Sequence, residues 1–327
     1  MVNTRLQGGY FLQMKMSNFN KIYVLGAGAV GCFFGGMLSR ANKDVTLIAR
    51  PDRAESIARD GLFMDCQTFQ EIVPIKATND LTVLRDADLV LLTAKSTDTE
   101  KIMREIAAIV PNHAVILSLQ NGVSNVDIAS SIVSNPVYPA VVYVACGMMN
   151  QRVMKHHGRG ELFIGGITAL NPTDNAHLNG ICTLFESSSV PCTVAKDIKR
   201  DMWLKFLVNC AYNGLSGIGQ ICYGEMVRIP EITRLIDGIT KEFLAIAANT
   251  GVCIDSHEAT AVNEAIARTM STQKSSTAQD LERRKKTEID YLNGYIVKLG
   301  KEYRMPTPYN ESVYAAVKML ESSFINL

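Results

Sequence analysis

A glycine-rich turn near the start of the chain has the residue types and spacing that bind a nucleotide pyrophosphate. It directly follows an apolar strand predicted at residues 21–25 and opens a helix predicted at 29–41. There the first glycine permits a tight turn, the second lets a pyrophosphate approach the backbone, and the third allows close helix–strand packing. The free N–H groups of the helix N-terminus favour phosphate oxygens. The alternative is that these glycines serve packing alone. The predicted dinucleotide site consists of Gly26, Ala27, Gly28, Ala29, Val30 and Gly31.

The end of the second predicted strand, at residues 44–49, indicates which dinucleotide is bound. NAD-binding domains usually carry an acidic residue there, which binds the ribose 2′-hydroxyl, whereas Arg50 follows this strand. A guanidinium pairs with a 2′-phosphate through two hydrogen bonds. We therefore predict NADPH as the cofactor, with Arg53 as an additional contact. The alternative for Arg50 is a simple surface cation.

Four predicted strands end in residues that suit a binding site. Ligands of open α/β sheets bind beyond the carboxyl ends of the strands, so these four residues should share one edge. A further strand, predicted at 137–146, should offer backbone groups around Cys146 at the same edge. The four strand-end residues are Gly26, Arg50, Lys95 and Asn121.

A nearly all-apolar helix, predicted within residues 199–217, carries a stripe of polar side chains. Lys205, Asn209 and Asn213 recur at i, i+4 and i+8, which places them on one helix face. The apolar surroundings predict burial, and burying an ammonium and two amides without partners costs several kcal/mol. We therefore predict a polar ligand at this face. The alternative is a structural role, with an interdomain salt bridge at Lys205.

Two polar positions further along the chain are candidates for the same site. Glu288 lies at the edge of the apolar stripe of a helix predicted from residue 287, and is therefore expected to be half-exposed. Ser275 and Ser276 open a polar segment that suits a helix cap. Capping alone would explain both serines.

The elements that position these residues predict an α/β fold in two domains. A β-α-β rhythm over residues 21–197 predicts a doubly wound, mostly parallel sheet of the Rossmann type. Residues 198–327 show almost only helical patterns, including one helix over 276–300, and predict an all-helical substrate domain. We expect a hinge at Pro191–Asp197. Residues 1–20 are interpreted as an N-terminal extension, with Met14 or Met16 as an alternative start.

Composition excludes several classes of protein. The 327 residues carry a formal net charge of +1, whereas nucleic-acid binders usually present a strongly basic face. No apolar run reaches the roughly 18 residues of a membrane helix, and no signal peptide is evident. The eight cysteines form no C-x-x-C pair and have no accompanying histidine cluster, so we expect free thiols in a reducing cytoplasm and no metal site. A homodimer is compatible with the helical domain.

With these residues in view, the chain resembles the ketopantoate reductase (2-dehydropantoate 2-reductase) family from Lys21 to about Glu321. The similarity is carried by GAGAVG at the glycine turn, QNG at 120–122, and W-x-K-x-x-x-N-C-x-x-N at 203–213. Two later motifs, SSxxQD at 275–280 and TEIDYxNGY at 287–295, complete the pattern. The resemblance implies NADPH-dependent reduction of a small 2-oxo acid, ketopantoate, to pantoate in pantothenate biosynthesis.

The resemblance also implies a role for each candidate residue. Lys205 matches the catalytic lysine of the family, and Glu288 lies at the cofactor with importance for catalysis. Arg50 and Lys95 hold the adenosine phosphate and the cofactor, and Cys146 belongs to the same surface. The substrate-binding positions are Asn121, Asn209, Asn213 and Ser276, of which Asn121 also contacts the cofactor.

One departure from the family keeps other substrates open. Tyr223 stands before the Gly224-Glu225 pair, where the family often has an asparagine. A reductase of another small 2-oxo acid or of an imine is therefore an alternative. A non-catalytic NADPH-binding redox sensor is a further alternative, but it would need no buried proton donor at Lys205.

Overall fold

The computed structural model describes residues 17–325 of the chain. The extension predicted at 1–20 therefore lies outside the described residues, apart from its last four. Among these, the backbone N–H of Asn20 donates to the Asp88 carboxylate (2.8 Å). None of the helices in the described part is long and apolar enough to cross a membrane.

Ten strands form one mixed sheet. In chain order they are β1 (Lys21–Leu25), β2 (Asp44–Ile48), β3 (Leu62–Asp65), β4 (Gln70–Val73), β5 (Lys76–Thr78), β6 (Leu89–Leu92), β7 (Val115–Ser118), β8 (Val137–Met148), β9 (Val153–Ile164) and β10 (Cys192–Val194). The order across the sheet is β4-β3-β9-β8-β7-β6-β1-β2-β5, with β10 beside β9.

The parallel part of this sheet confirms the Rossmann-type prediction. Strands β5, β2, β1, β6, β7 and β8 are parallel neighbours. The chain moves outwards from β1 to β2 and β5, then crosses to β6 on the other side of β1. This reversal is the switch point at which such sheets bind ligands. Beyond β8, the long antiparallel β8–β9 pair and the β3–β4 hairpin extend the sheet.

Five helices belong to the sheet domain and eight follow it. The first group is α1 (Ala29–Arg40), α2 (Pro51–Asp60), α3 (Thr99–Ile106), α4 (Asn125–Ser130) and α5 (Pro172–Glu186). The second group is α6 (Ile198–Val208), α7 (Gly214–Gly219), α8 (Tyr223–Met226), α9 (Pro230–Asn249), α10 (Ser256–Thr269), α11 (Ser276–Glu282), α12 (Asn293–Tyr303) and α13 (Pro308–Ile325). A π-helical turn, Asn209–Asn213, joins α6 to α7.

The alternation of side chains along β1 builds a core on each face of the sheet. Ile22 and Val24 are buried in the cluster that contains side chains of α1 and α5. Tyr23 and Leu25 point the other way, into the cluster with α3 and α4. A third core fills the helical domain and includes Val141 of β8, so the two domains share packed surface.

One expectation about the chain path stays a prediction, and one is wrong. The hinge expected at Pro191–Asp197 stays a prediction, and this segment contains β10, which pairs in parallel with β9. The helix expected over 276–300 breaks into α11, a 3-10 turn at Ile289–Tyr291, and α12. The break follows a run of four cations at 283–286, and Arg284 adopts φ +52° there.

Candidate active site

The glycine turn between β1 and α1 leaves room for a ligand. A Cβ on Gly26, whose φ is +116°, would lie 2.5 Å from the Ala94 nitrogen. A Cβ on Gly31 would lie 2.2 Å from the Gly26 carbonyl oxygen. Above Gly28, by contrast, no described atom lies within 4 Å of the Cβ position. Two of the glycines therefore close the turn, while Gly28 leaves open space at the start of α1, as a pyrophosphate requires.

The two arginines after β2 occupy different positions. Arg53 on α2 donates from Nη1 to the carbonyl oxygen of Ala27 (3.0 Å), so its guanidinium lies against the glycine turn. Arg50 is exposed at the N-cap of α2. The two cations thus flank the carboxyl end of β2, where the ribose of a dinucleotide would lie.

The loop after β6 is tied to the helical domain. The Lys95 ammonium contacts the Asp280 carboxylate (2.7 Å) and donates to the Lys286 carbonyl oxygen (2.7 Å). The backbone N–H of Ser96 donates to Glu288 Oε1 (2.8 Å). Lys95 and Ser96 therefore join the end of β6 to Asp280 and Glu288, and Glu288 lies just before the 3-10 turn rather than within a helix. Its carboxylate faces Ser96 and is not among the groups lining the cleft described next.

A cleft of about 460 Å³ lies between the sheet edge and the helical domain. Several predicted residues line it together, from both domains of the chain. A larger depression of about 1040 Å³ lies beside β2 and β5, but none of the predicted site residues lines it. The predicted residues in the cleft are Val30, Asn121, Cys146, Lys205, Asn209, Asn213 and Ser276.

Lys205 on α6 forms hydrogen bonds across the cleft to two residues of the sheet domain. Its Nζ donates to Asn121 Oδ1 (2.9 Å) and to the Val142 carbonyl oxygen (2.7 Å). Burial lowers the pKa of Lys205, the carboxylate of Glu288 raises it and the cationic Arg159 lowers it, and the net result is a pKa of about 8 instead of 10.5. The side chain is therefore close to a pKa that suits proton donation near neutral pH.

The amide stripe next to Lys205 has one unused donor. The Tyr223 hydroxyl donates to Asn213 Oδ1 (3.0 Å), and Asn213 Nδ2 donates to Asn209 Oδ1 (3.4 Å). The Nδ2 of Asn209 is buried and has no hydrogen-bond partner within residues 17–325. A buried amide donor without a partner is costly, so this atom is a natural contact for a polar ligand.

The two serines of α11 separate into different roles. Ser275 is the N-cap, since its hydroxyl oxygen accepts from the Ala278 N–H (3.0 Å) and the hydroxyl donates to the Asn213 carbonyl oxygen (2.9 Å). Ser276, one residue later, lines the cleft. Capping therefore explains Ser275 and leaves the hydroxyl of Ser276 available to a ligand.

Several residues of the cleft were not identified from the sequence. Tyr143 of β8 and Arg159 of β9 line it, and the guanidinium carbon of Arg159 lies 4.2 Å from the centre of the Tyr143 ring. The position of Arg159 between Gly158 and Gly160 was the available sequence signal, because paired glycines indicate an unusual backbone conformation. Arg159 itself has φ +60°. An apolar wall, for which no sequence signal was apparent, comprises Leu204, Val208, Val262, Ile266 and Met270.

Cys146, near the end of β8, lines the cleft. Burial raises the pKa of the Cys146 thiol to about 12, so this side chain remains neutral. Within the described part of the chain, no group of three or more acidic, histidine or cysteine side chains could hold a metal ion.

The whole chain is similar to reductases of one family. It matches the family model "Ketopantoate reductase PanE/ApbA" over residues 22–168 and "Ketopantoate reductase PanE/ApbA C terminal" over residues 197–321. The 2-dehydropantoate 2-reductase of Vibrio cholerae is 30% identical over 308 residues, which is 93% of this chain and 98% of the relative. That of Pyrococcus horikoshii is 30% identical over 303 residues, covering 92% and 98%.

Solved structures agree in fold. A PanE/ApbA family ketopantoate reductase from Ralstonia eutropha superimposes with a TM-score of 0.87 at 40% identity, over 93% of this chain and 99% of that one. A D-mandelate dehydrogenase with NADH and anilino(oxo)acetate also has a TM-score of 0.87, at 25% identity and the same coverage.

The family models extend over most of both domains, and they include the glycine turn, Lys205 with its amide stripe, and Glu288. The matched residues thus lie on both sides of the cleft between the sheet edge and the helical domain. The chain belongs to the ketopantoate reductase family.

Proposed function

We propose that this chain catalyses the NADPH-dependent reduction of 2-dehydropantoate (ketopantoate) to pantoate in pantothenate biosynthesis. The observation that carries the proposal is the environment of Lys205. Its ammonium lies in the cleft between the two domains, its pKa is about 8, and it is bonded to Asn121 at the carboxyl edge of the sheet. An ammonium so placed can protonate a carbonyl oxygen beside a cofactor bound at that edge.

The residues at the sheet edge fit a dinucleotide. Open space above Gly28 and free N–H groups at the start of α1 lie beside Val30, which lines the cleft, and from these we infer a path from turn to cleft. We propose that Gly26–Gly31, Lys95, Asn121, Cys146 and Glu288 hold the cofactor along this path. NADPH bound there would supply a hydride to the 2-oxo carbon of the substrate.

Lys205 has one N–H left for the substrate. An ammonium has three donors, and two of them are directed to Asn121 Oδ1 and the Val142 carbonyl oxygen. The third is free for the oxygen of the 2-oxo group. As that oxygen gains negative charge during reduction, the ammonium stabilises it and transfers its proton, which leaves a neutral amine and an alcohol.

The amides and Ser276 would orient the substrate. The hydrogen-bonded series from Tyr223 through Asn213 to Asn209 holds the Asn209 amide so that its free Nδ2 can donate to a substrate oxygen. The Ser276 hydroxyl, which lines the cleft, would donate to the carboxylate. These neutral donors select a polar, anionic substrate without competing for the proton of Lys205.

The choice of NADPH rests on the end of β2. No acidic side chain stands there to bind a ribose 2′-hydroxyl, and the exposed Arg50 beside Arg53 offers two guanidinium groups to a 2′-phosphate. Because a solved relative at 25% identity contains NADH, the preference must be measured for this chain.

A different 2-oxo acid is the second candidate substrate. The aromatic ring of Tyr223 and the apolar wall from α6 and α10 would suit a larger apolar substituent than that of ketopantoate. The D-mandelate dehydrogenase relative holds anilino(oxo)acetate, a 2-oxo carboxylate with an aromatic group.

Initial rates of NADPH oxidation with ketopantoate, phenylglyoxylate and pyruvate, each repeated with NADH, test the proposal. We expect the highest kcat/KM with ketopantoate and NADPH, and a loss of at least a hundredfold in Lys205→Ala. Lys199→Ala is the matched control, because Lys199 lies on the same helix but donates to the Thr250 carbonyl oxygen away from the cleft. A higher kcat/KM for phenylglyoxylate would replace ketopantoate by the second candidate, and full activity in Lys205→Ala would refute the mechanism.

A further inference from the structure

Two of the cysteines are neighbours in space at a distance from the active cleft. Cys182 lies on α5 and Cys192 begins β10, and their Sγ atoms are 3.5 Å apart. Cys182 is half-buried and Cys192 is buried. Neither lines the cleft that holds Lys205. Among the described residues they are the two thiols in direct sulfur–sulfur contact.

The backbone around the pair holds this separation. The turn that links α5 to β10 is closed by hydrogen bonds from the Ser188 and Val190 N–H groups to the Phe185 carbonyl oxygen (2.9 and 3.0 Å). Strand β10 is then held by its parallel pairing, in which Cys192 is opposite Leu162 of β9. The two sulfur atoms thus stay adjacent because both flanking elements are anchored.

We propose that Cys182 and Cys192 form a redox-active dithiol that hydrogen peroxide converts to an intramolecular disulfide. An S–S bond is about 2.05 Å long, so the sulfur atoms need to approach by about 1.5 Å, which side-chain rotation can supply. In the reducing cytoplasm, such pairs are typically transient and redox-sensing rather than structural.

The two thiols have different parts in the reaction. Cys182 is the more accessible, and its sulfur–sulfur contact with Cys192 lowers its pKa, whereas the same contact and burial raise the pKa of Cys192. The Cys182 thiolate attacks one peroxide oxygen, the O–O bond breaks, and a sulfenic acid and water result after proton uptake. The Cys192 sulfur then attacks the Cys182 sulfur, the S–O bond breaks, and the departing hydroxide takes the Cys192 proton to form a second water molecule.

Oxidation of the full chain with hydrogen peroxide, followed by alkylation and mass spectrometry, tests the proposal. We expect a chain lighter by two hydrogen atoms, a cross-linked peptide pair containing Cys182 and Cys192, and full reversal by dithiothreitol. Cys182→Ser and Cys192→Ala should each abolish the cross-link. Cys253→Ser is the matched control, because Cys253 is exposed and its removal should leave the cross-link unchanged.

Two results would overturn the proposal. One is oxidation of Cys182 to sulfinic acid with no cross-linked peptide, and the other is a disulfide that joins Cys182 to a cysteine other than Cys192. Thermal unfolding of both variants shows whether each remains folded, and agreement of each with the unsubstituted chain excludes an effect of misfolding. Neither cysteine lines the cleft, so the test of the dithiol does not depend on the proposed reductase activity. Turnover of the oxidised chain would measure the effect of the disulfide on that activity separately.

Discussion

Raising the pH above 8 should switch off the reduction reaction, because the ammonium of Lys205 is the active form. The folded-state pKa of this lysine is depressed from 10.5 to about 8. This net depression corresponds to about 3 kcal/mol by which the surroundings as a whole disfavour the ammonium. The charged form predominates below pH 8 and is lost as the pH rises through that value, so activity should be highest on the acidic side.

The expected magnitude follows from the titration of one group. With a pKa of about 8, roughly 90% of Lys205 is charged at pH 7 and roughly 10% at pH 9, so kcat/KM should fall about tenfold between them. An unperturbed lysine with a pKa of 10.5 would lose only about 3% over the same range. The assay is the initial rate of NADPH oxidation from pH 6 to pH 10 in buffers of constant ionic strength.

Two charge-neutralising substitutions should shift the alkaline limb of the pH profile in opposite directions. Glu288→Gln keeps an oxygen to accept from the Ser96 N–H but removes the charge that supports the ammonium, so the alkaline limb should move to lower pH. Arg159→Gln removes a neighbouring cation and should move the limb to higher pH. Since the Arg159 side chain is 44% exposed, solvent screening should limit its effect to less than about one pH unit. A flat profile to pH 10, or shifts of the same sign in both variants, would refute the assignment of Lys205 as the proton donor.

Four further substitutions address the cofactor and substrate sites. Arg50→Gln should raise the KM for NADPH at least tenfold and leave that for NADH within about twofold, because only NADPH has the 2′-phosphate; equal changes would count against NADPH selection. Gly28→Ala should leave Tm unchanged but weaken NADPH binding at least tenfold in fluorescence titration. Gly31→Ala, by contrast, should lower Tm, because its Cβ would lie 2.2 Å from a backbone oxygen. Tyr223→Phe leaves the buried Asn213 oxygen without its donor and should lower kcat/KM about tenfold without changing NADPH affinity; an unchanged kcat/KM would contradict the orienting role of this hydroxyl.

The parts of the fold that could be predicted are those encoded in local patterns. The strand at Lys21–Leu25, the glycine turn after it and the parallel order of the sheet follow from short apolar runs separated by helices. The paired serines show the limit of this reasoning. Capping and ligand binding were equally compatible with Ser275 and Ser276, and only the hydrogen bond from Ala278 to Ser275 separates them.

The environment of Glu288 could not be predicted because distant residues determine it. The sequence pattern placed Glu288 on a helix continuous from 276 to 300, yet the helix is interrupted before it. The preceding Thr287 is fixed by the buried Glu321 carboxylate, which accepts from its N–H (2.6 Å) and its hydroxyl (2.7 Å). A contact across 34 residues of chain thus overrides the helical periodicity.

The sequence by itself determined which side chains could do chemistry here: a phosphate-binding turn and a lysine with two amides on one helical face. It could do so because a turn and a helix are local structures whose requirements are met by neighbouring residues. The tertiary structure alone decided the properties of Lys205. Its partners Asn121 and Val142 are 84 and 63 residues away in the chain, and the burial that lowers its pKa exists only when the sheet edge and the helical domain pack together.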